Sequence, residues 1–87
     1  MRYTVVIDTR AGREIRALPR EAQGRIIAKA DALAANPRPP GCVKLIGPSG
    51  LWRIRSGDYR IIYHIRDDQV PVTVVKVAHR REAYRGI

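Results

Sequence analysis

LWRIRSGDYRIIYHI, residues 51–65, reads as two β-strands joined by a Ser-Gly-Asp turn, and the rest of the fold is built around it. Short β-branched and aromatic runs bounded by turn residues are strand signals. Side chains two apart on a strand share a face. Alternation puts Trp52 and Ile54 on one side of the first strand and Arg53 and Arg55 on the other. In the second strand Ile61, Tyr63 and Ile65 share a side, and Arg60, Ile62 and His64 share the opposite one. One side of the hairpin is apolar. The other gathers arginines, although like charges facing each other across strands repel.

Further strands flank this hairpin. CVKLI (42–46) precedes it, separated by the turn GPSG. VPVTVVKVA (70–78) follows it after the turn RDDQ. Near the start, residues 2–7 of RYTVVID form a β-branched apolar run and read as a strand. Two helices lie between. Asp8 or Thr9 can cap the first, which runs through RAGREIRAL with Ala11, Ile15 and Leu18 on one stripe until Pro19 breaks it. Proline also suits the first turn of a following helix. REAQGRIIAKADALAA (20–35) aligns Ala22, Ile26, Ala30, Leu33 and Ala34, and Asn36 and Pro37 stop it. The expected class is α+β in a single domain, residues 1–87. It comprises an N-terminal strand, a helical hairpin and an antiparallel β-meander of three or four strands in one sheet, with the helices on one face. HRREAYRGI (79–87) reads as irregular or a single helical turn.

The apolar side of the sheet must pack on the helices. If the turn at 56–58 pairs the first two strands, Arg55 lies near Tyr59 and Arg60. The turn at 67–69 is expected to set Arg60 opposite Lys76 and to bring Arg80 to the same end. The remaining face then carries Arg53, Arg55, Arg60, Lys76 and Arg80 over a floor of Ile62, Val74 and Ala78. A slip of one residue would flip every side chain, so this face depends on register.

Composition agrees with an anionic partner. Seventeen Lys and Arg against eight Asp and Glu give a net charge of +9 in 87 residues, and fourteen of those cations are Arg. A guanidinium forks two hydrogen bonds onto a phosphate, where an ammonium acts as a point charge. Nucleic acid or an acidic protein is the implied partner. The single Cys42 rules out an internal disulfide framework and fits a reducing cytoplasm. MRYTVVIDTR has too brief an apolar run for a secretory signal, and no stretch reaches bilayer length. A cytoplasmic, membrane-free location follows as the expectation. No metal-ligand spacing and no Gly-rich phosphate loop before a helix is present, so no cofactor is implied.

LWRIRSGDYRIIYHI, then VTVVKVAHRREAYR, resembles the RelE/ParE family of bacterial and archaeal toxins. The likeness lies in the GDYR-IIY strand, the closing HR followed by a Tyr, the Leu-Pro break between the helices and the Asn-Pro that ends the second. It spans nearly the whole chain. The resemblance implies a RelE-like toxin that enters the ribosome's decoding site and cuts mRNA there, the RNA's own 2′-hydroxyl attacking the adjacent phosphate. It also implies a RelB-like antitoxin, small, acidic and partly disordered, that wraps the toxin in a hetero-oligomer. The residues that would work in cleavage fall on Arg53, Arg55, Arg60, Arg80 and Tyr84. Lys44, Lys76 and Arg81 are further candidates for RNA contact. ParE-type members of the fold lack that catalytic set and instead poison DNA gyrase. Gyrase inhibition, or nucleic-acid binding without toxicity, is the alternative.

Where some members place Lys, this chain has Arg53 and Arg55. Arginine stays protonated, so neither serves readily as a general base, but both suit holding a phosphate and stabilising developing charge. Tyr84 reads either as a base stacker or proton mover, or as an ordinary core or surface ring. The histidines are chemically apt for proton transfer. His79 adjoins Arg80, yet alternation points it to the opposite face. His64 shares the face of Arg60 but lies four residues along, roughly 13 Å away.

Overall fold

A computed structural model describes residues 3–47, 50–65 and 71–85 of the chain. Its elements run β1 (Thr4–Ile7), α1 (Thr9–Arg16), α2 (Arg20–Ala32), β2 (Val43–Lys44), β3 (Leu51–Ser56), β4 (Tyr59–Ile65) and β5 (Pro71–His79). One five-stranded sheet has the order β1-β5-β4-β3-β2. The strands β2 to β5 form the expected antiparallel meander, and β1 joins β5 in parallel, which makes the sheet mixed. The expected strand residue Arg2, the turn at 67–69 and Val70 lie outside the described residues.

Local chemistry explains the helix ends. Asp8 caps α1 by accepting from the Ala11 N–H at 2.8 Å, while its own N–H donates to the Val74 carbonyl at 3.0 Å. The cap therefore also ends the β1–β5 pairing. The Gln23 amide closes the other end of α1, donating to the carbonyls of Leu18 at 2.8 Å and Arg16 at 3.3 Å. The helix α2 ends at Ala32, three residues before the expected Ala35. Its last turn tightens, with the Leu33 N–H on the Ala30 carbonyl at 3.0 Å, as helix ends commonly do.

Ala11 and Ile15 of α1 and Ile26, Ala30 and Leu33 at α2 bury their stripe against Ile54, Ile61, Tyr63, Ile65, Val72, Val74 and Val77. Removing such branched side chains from water stabilises by about 1.5–3 kcal/mol each. Tyr63 is fully buried and donates its hydroxyl to the Pro37 carbonyl at 2.8 Å. That bond ties the Asn-Pro connector to the core, and burial pushes the hydroxyl's pKa well above the usual tyrosine value.

Three details of the strands differ from expectation. The expected strand at 42–46 contracts to Val43–Lys44, flanked by positive-φ glycines at 41 and 47, and leaves Ile46 exposed. Arg60 stands opposite Ala78, not Lys76, whose partner is Ile62. That shift is of two residues, so it changes neighbours but preserves faces. A bulge then intervenes, since Lys76 pairs with Ile62 while Val74 pairs with Tyr63, leaving Val75 without a partner. One extra residue reverses the alternation. Val74 accordingly lies in the helix-side core with Val72 and Val77, not in the floor of the other face.

Candidate functional site

Opposed residues of antiparallel strands share a face. The face away from the helices therefore carries two rows. One is Val43, Arg53, Ile62 and Lys76, and the other is Arg55, Arg60 and Ala78. With strands about 4.8 Å apart, Arg53, Arg55 and Arg60 fall within one small patch. Among the described residues, none of these three and neither Arg80 nor Arg81 pairs with a carboxylate; the ion pairs are Arg10–Glu14, Arg25–Glu21 and Arg85–Glu82.

Each cation is held differently. Arg60 turns its guanidinium back over the hairpin, donating to the carbonyls of Tyr59 at 3.1 Å and Gly57 at 3.2 Å. Gly57 itself needs its φ of 59°, which few other residues adopt. Arg55 is exposed. Arg53 is half-buried, and its Nε–H is sealed from solvent without a hydrogen-bond partner. Such an orphan donor costs about 1–3 kcal/mol. Arg80 follows directly on β5, and its N–H donates to the Asp58 carbonyl at 2.8 Å. The backbone of Arg80 is thus fixed beside the β3–β4 turn, at the Arg55 and Arg60 end of the face.

Tyr84 sits in the turns after β5 and is half exposed, while its neighbour Ala83 is fully buried. Arg81 is exposed, and its N–H donates to Nδ1 of His79 at 3.3 Å. His79 pairs with Tyr59 and meets that ring edge-on at 6.0 Å, on the helix side of the sheet. His64 stands opposite Leu51 and Thr73, at the far end from Arg55 and Arg60. The structure brings neither histidine to the arginine patch.

Two of the expected RNA contacts are placed otherwise. Lys44 pairs with Trp52 and so belongs to the helix-side face at the sheet edge, near Arg38, whose guanidinium lies 4.9 Å from the Trp52 ring centre. Lys76 shares the arginine face but is only 4% exposed, and its ammonium donates to the Arg85 carbonyl. Burial lowers its pKa, and Arg10 and Arg85 nearby add to that.

Sequence reasoning passed over Glu14, whose carboxylate accepts from the Val77 N–H at 2.9 Å. Pairing of β1 with β5 ends at Val74, and Glu14 takes over where the strand partner is missing. The available signal was that Glu14 is the one acid of α1, four residues after Arg10.

Fold and site together define a small α+β domain with a solvent-facing, unneutralised arginine patch. The profile of the ParE toxin of the type II parDE toxin–antitoxin system matches residues 5–84. The chain is 31% identical to the toxin RelG of Mycobacterium tuberculosis over 86 residues, 98% of this chain and 99% of that protein. It superimposes on the archaeal RelE–RelB complex from Pyrococcus horikoshii with a TM-score of 0.81 at 30% identity, covering 95% of this chain and all (100%) of that one. The toxin–antitoxin complex RelBE2 from M. tuberculosis gives a TM-score of 0.80 at 29% identity, covering 92% and 100% of the two chains. This protein belongs to the RelE/ParE family of type II toxin–antitoxin toxins.

Proposed function

We propose that the chain is a RelE-like endoribonuclease toxin that cuts translated mRNA in the ribosomal decoding site. The single observation that carries this reading is the Arg55–Arg60 pair, set face to face, with neither paired to a carboxylate among the described residues. Arg53 adds a third guanidinium in the next row. An array of that kind is suited to neutralising a phosphodiester and the extra negative charge it gains in the transition state.

In this reaction the 2′-oxygen forms a bond to the adjacent phosphorus and the bond from phosphorus to the 5′-oxygen breaks. The products carry a 2′,3′-cyclic phosphate and a 5′-hydroxyl. Arg55 and Arg60 hold the phosphate in line, and Arg80 joins from the end of β5. Tyr84 offers a ring on which an unstacked base can lie and a hydroxyl for proton transfer. The arginines do not trade protons, so their contribution is electrostatic and needs no metal.

The same surface explains restraint by a partner. The relatives superimposed above were solved with RelB antitoxins, and a net charge of +9 calls for an acidic segment that folds on binding. The product of the neighbouring reading frame is the expected antitoxin.

Mapping transcript ends after brief expression in a bacterium tests this reading. Cuts inside translated codons, lost in Arg60→Ala and Arg80→Ala with the fold intact, are expected. The match to a ParE profile keeps gyrase poisoning as the second reading. Intact transcripts with damaged or relaxed DNA would favour it.

A further inference from the structure

We propose that Lys76 is a positioning residue for the cleavage reaction: it ties down the turns that follow β5 and so holds Tyr84 at a fixed place relative to the sheet. Its consequence for rate rests on the nuclease reading above.

A lysine is almost never fully buried unless something holds it. Lys76 projects from β5 onto the arginine face, yet it is 4% exposed. Its Nζ donates to the backbone carbonyl of Arg85. The charges around it are balanced, with Arg10 and Glu14 from α1 and Glu82 and Arg85 from the final turns. Those neighbours make the ammonium tolerable. They do not explain why it is there, since an aliphatic chain would fill the same space without the cost of burying charge.

The backbone after β5 supplies a reason. A segment without helix or strand keeps one position only where it is tied, and residues 80–85 contain neither. Their start is pinned by the Arg80 N–H on the Asp58 carbonyl at 2.8 Å. Internal turns follow, with the Glu82 N–H on the His79 carbonyl at 2.7 Å and the Arg85 N–H on the Glu82 carbonyl at 3.2 Å. Lys76 makes the second pin. Tyr84 therefore sits between buried Ala83 and tethered Arg85, its ring half exposed. Arg80 and Tyr84 are thereby fixed to one sheet, the first through the β3–β4 turn and the second through Lys76. A displacement of about 1 Å in such a group can cost about 100-fold in rate.

The experiment compares wild type, Lys76→Met, Tyr84→Ala and the double variant. It measures single-turnover cleavage on programmed ribosomes, ribosome affinity, and amide exchange at Tyr84 and Arg85. Lys76→Met is expected to slow cleavage by about 10- to 100-fold with affinity unchanged and exchange at the tail amides accelerated. The double variant is expected to be no slower than Tyr84→Ala, because both changes remove one contribution. Lys76→Gln, which keeps an N–H donor without the charge, is expected to retain tail protection and most of the rate. Wild-type cleavage by Lys76→Met, full multiplication of the two defects, or unchanged exchange would each overturn the tether. Equal loss of protection in Lys76→Gln and Lys76→Met would also overturn it. Exchange reads the tether even if the wild type cuts no RNA, so failure of the nuclease reading is seen separately.

Discussion

Arg55 and Arg60 face each other directly across β3 and β4, two guanidinium-bearing residues in register with no carboxylate at hand among the described residues. Like charges so placed destabilise a sheet by roughly 0.2–1 kcal/mol. Arg55→Ala is therefore expected to raise the midpoint of denaturation slightly while cutting RNA cleavage by about 100-fold or more, the effect of losing one donor to a transition-state oxyanion. Arg60→Ala should leave stability nearly unchanged, since it also loses the bonds to Gly57 and Tyr59. Chemical denaturation beside a cleavage assay separates the two effects.

Glu14 substitutes for a strand at the edge of β5. Removing its carboxylate leaves the Val77 N–H unpaired. Glu14→Ala is expected to cost about 1–3 kcal/mol, and Glu14→Gln distinctly less, because the amide oxygen still accepts. Urea unfolding and exchange of the Val77 amide measure this.

Tyr63 governs stability in alkali. Its folded pKa lies above the unfolded value near 10, raised first by burial. Above pH 10 the unfolded chain loses this proton and the folded chain does not, so stability must fall as pH rises. Tyr63→Phe is expected to remove this component of the alkaline decline, at a cost of about 1 kcal/mol for the lost bond to Pro37. Denaturation midpoints between about pH 9 and 11, one unit either side of the free tyrosine pKa, report it.

Arg53 stands half-buried in the row beside Arg55 and Arg60. Affinity for single-stranded RNA should fall with salt, and Arg53→Met should lower the log–log slope by about 0.7, the value for one phosphate contact. A slope unchanged by that substitution would place the phosphate elsewhere. Fluorescence titration of a short RNA at several salt concentrations suffices.

The basic face was legible because strand parity survives even-numbered shifts in register. Arg60 moved from an expected partner in Lys76 to Ala78, and the arginines stayed together. Val74 was misread because the bulge at Val75 changes parity, and VTVVKV carries no glycine or proline to announce it. Lys76 was misread for a related reason. Alternation gives the face a side chain leaves from, and only the returning tail shows that the face is covered there. The helical hairpin was plain from Ala11, Ile15, Ala22, Ile26 and Ala30, all buried. The parallel seat of β1 against β5 depends on where the chain returns after the helices, which periodicity does not encode.

The most direct measurement is end-group analysis of a ribosome-bound message cut by purified wild type and by Arg80→Ala. Arginine-assisted attack by the 2′-hydroxyl predicts 2′,3′-cyclic phosphate and 5′-hydroxyl ends and loss of cutting in the variant. Ends bearing 5′-phosphate, or undiminished cutting by Arg80→Ala, would contradict it.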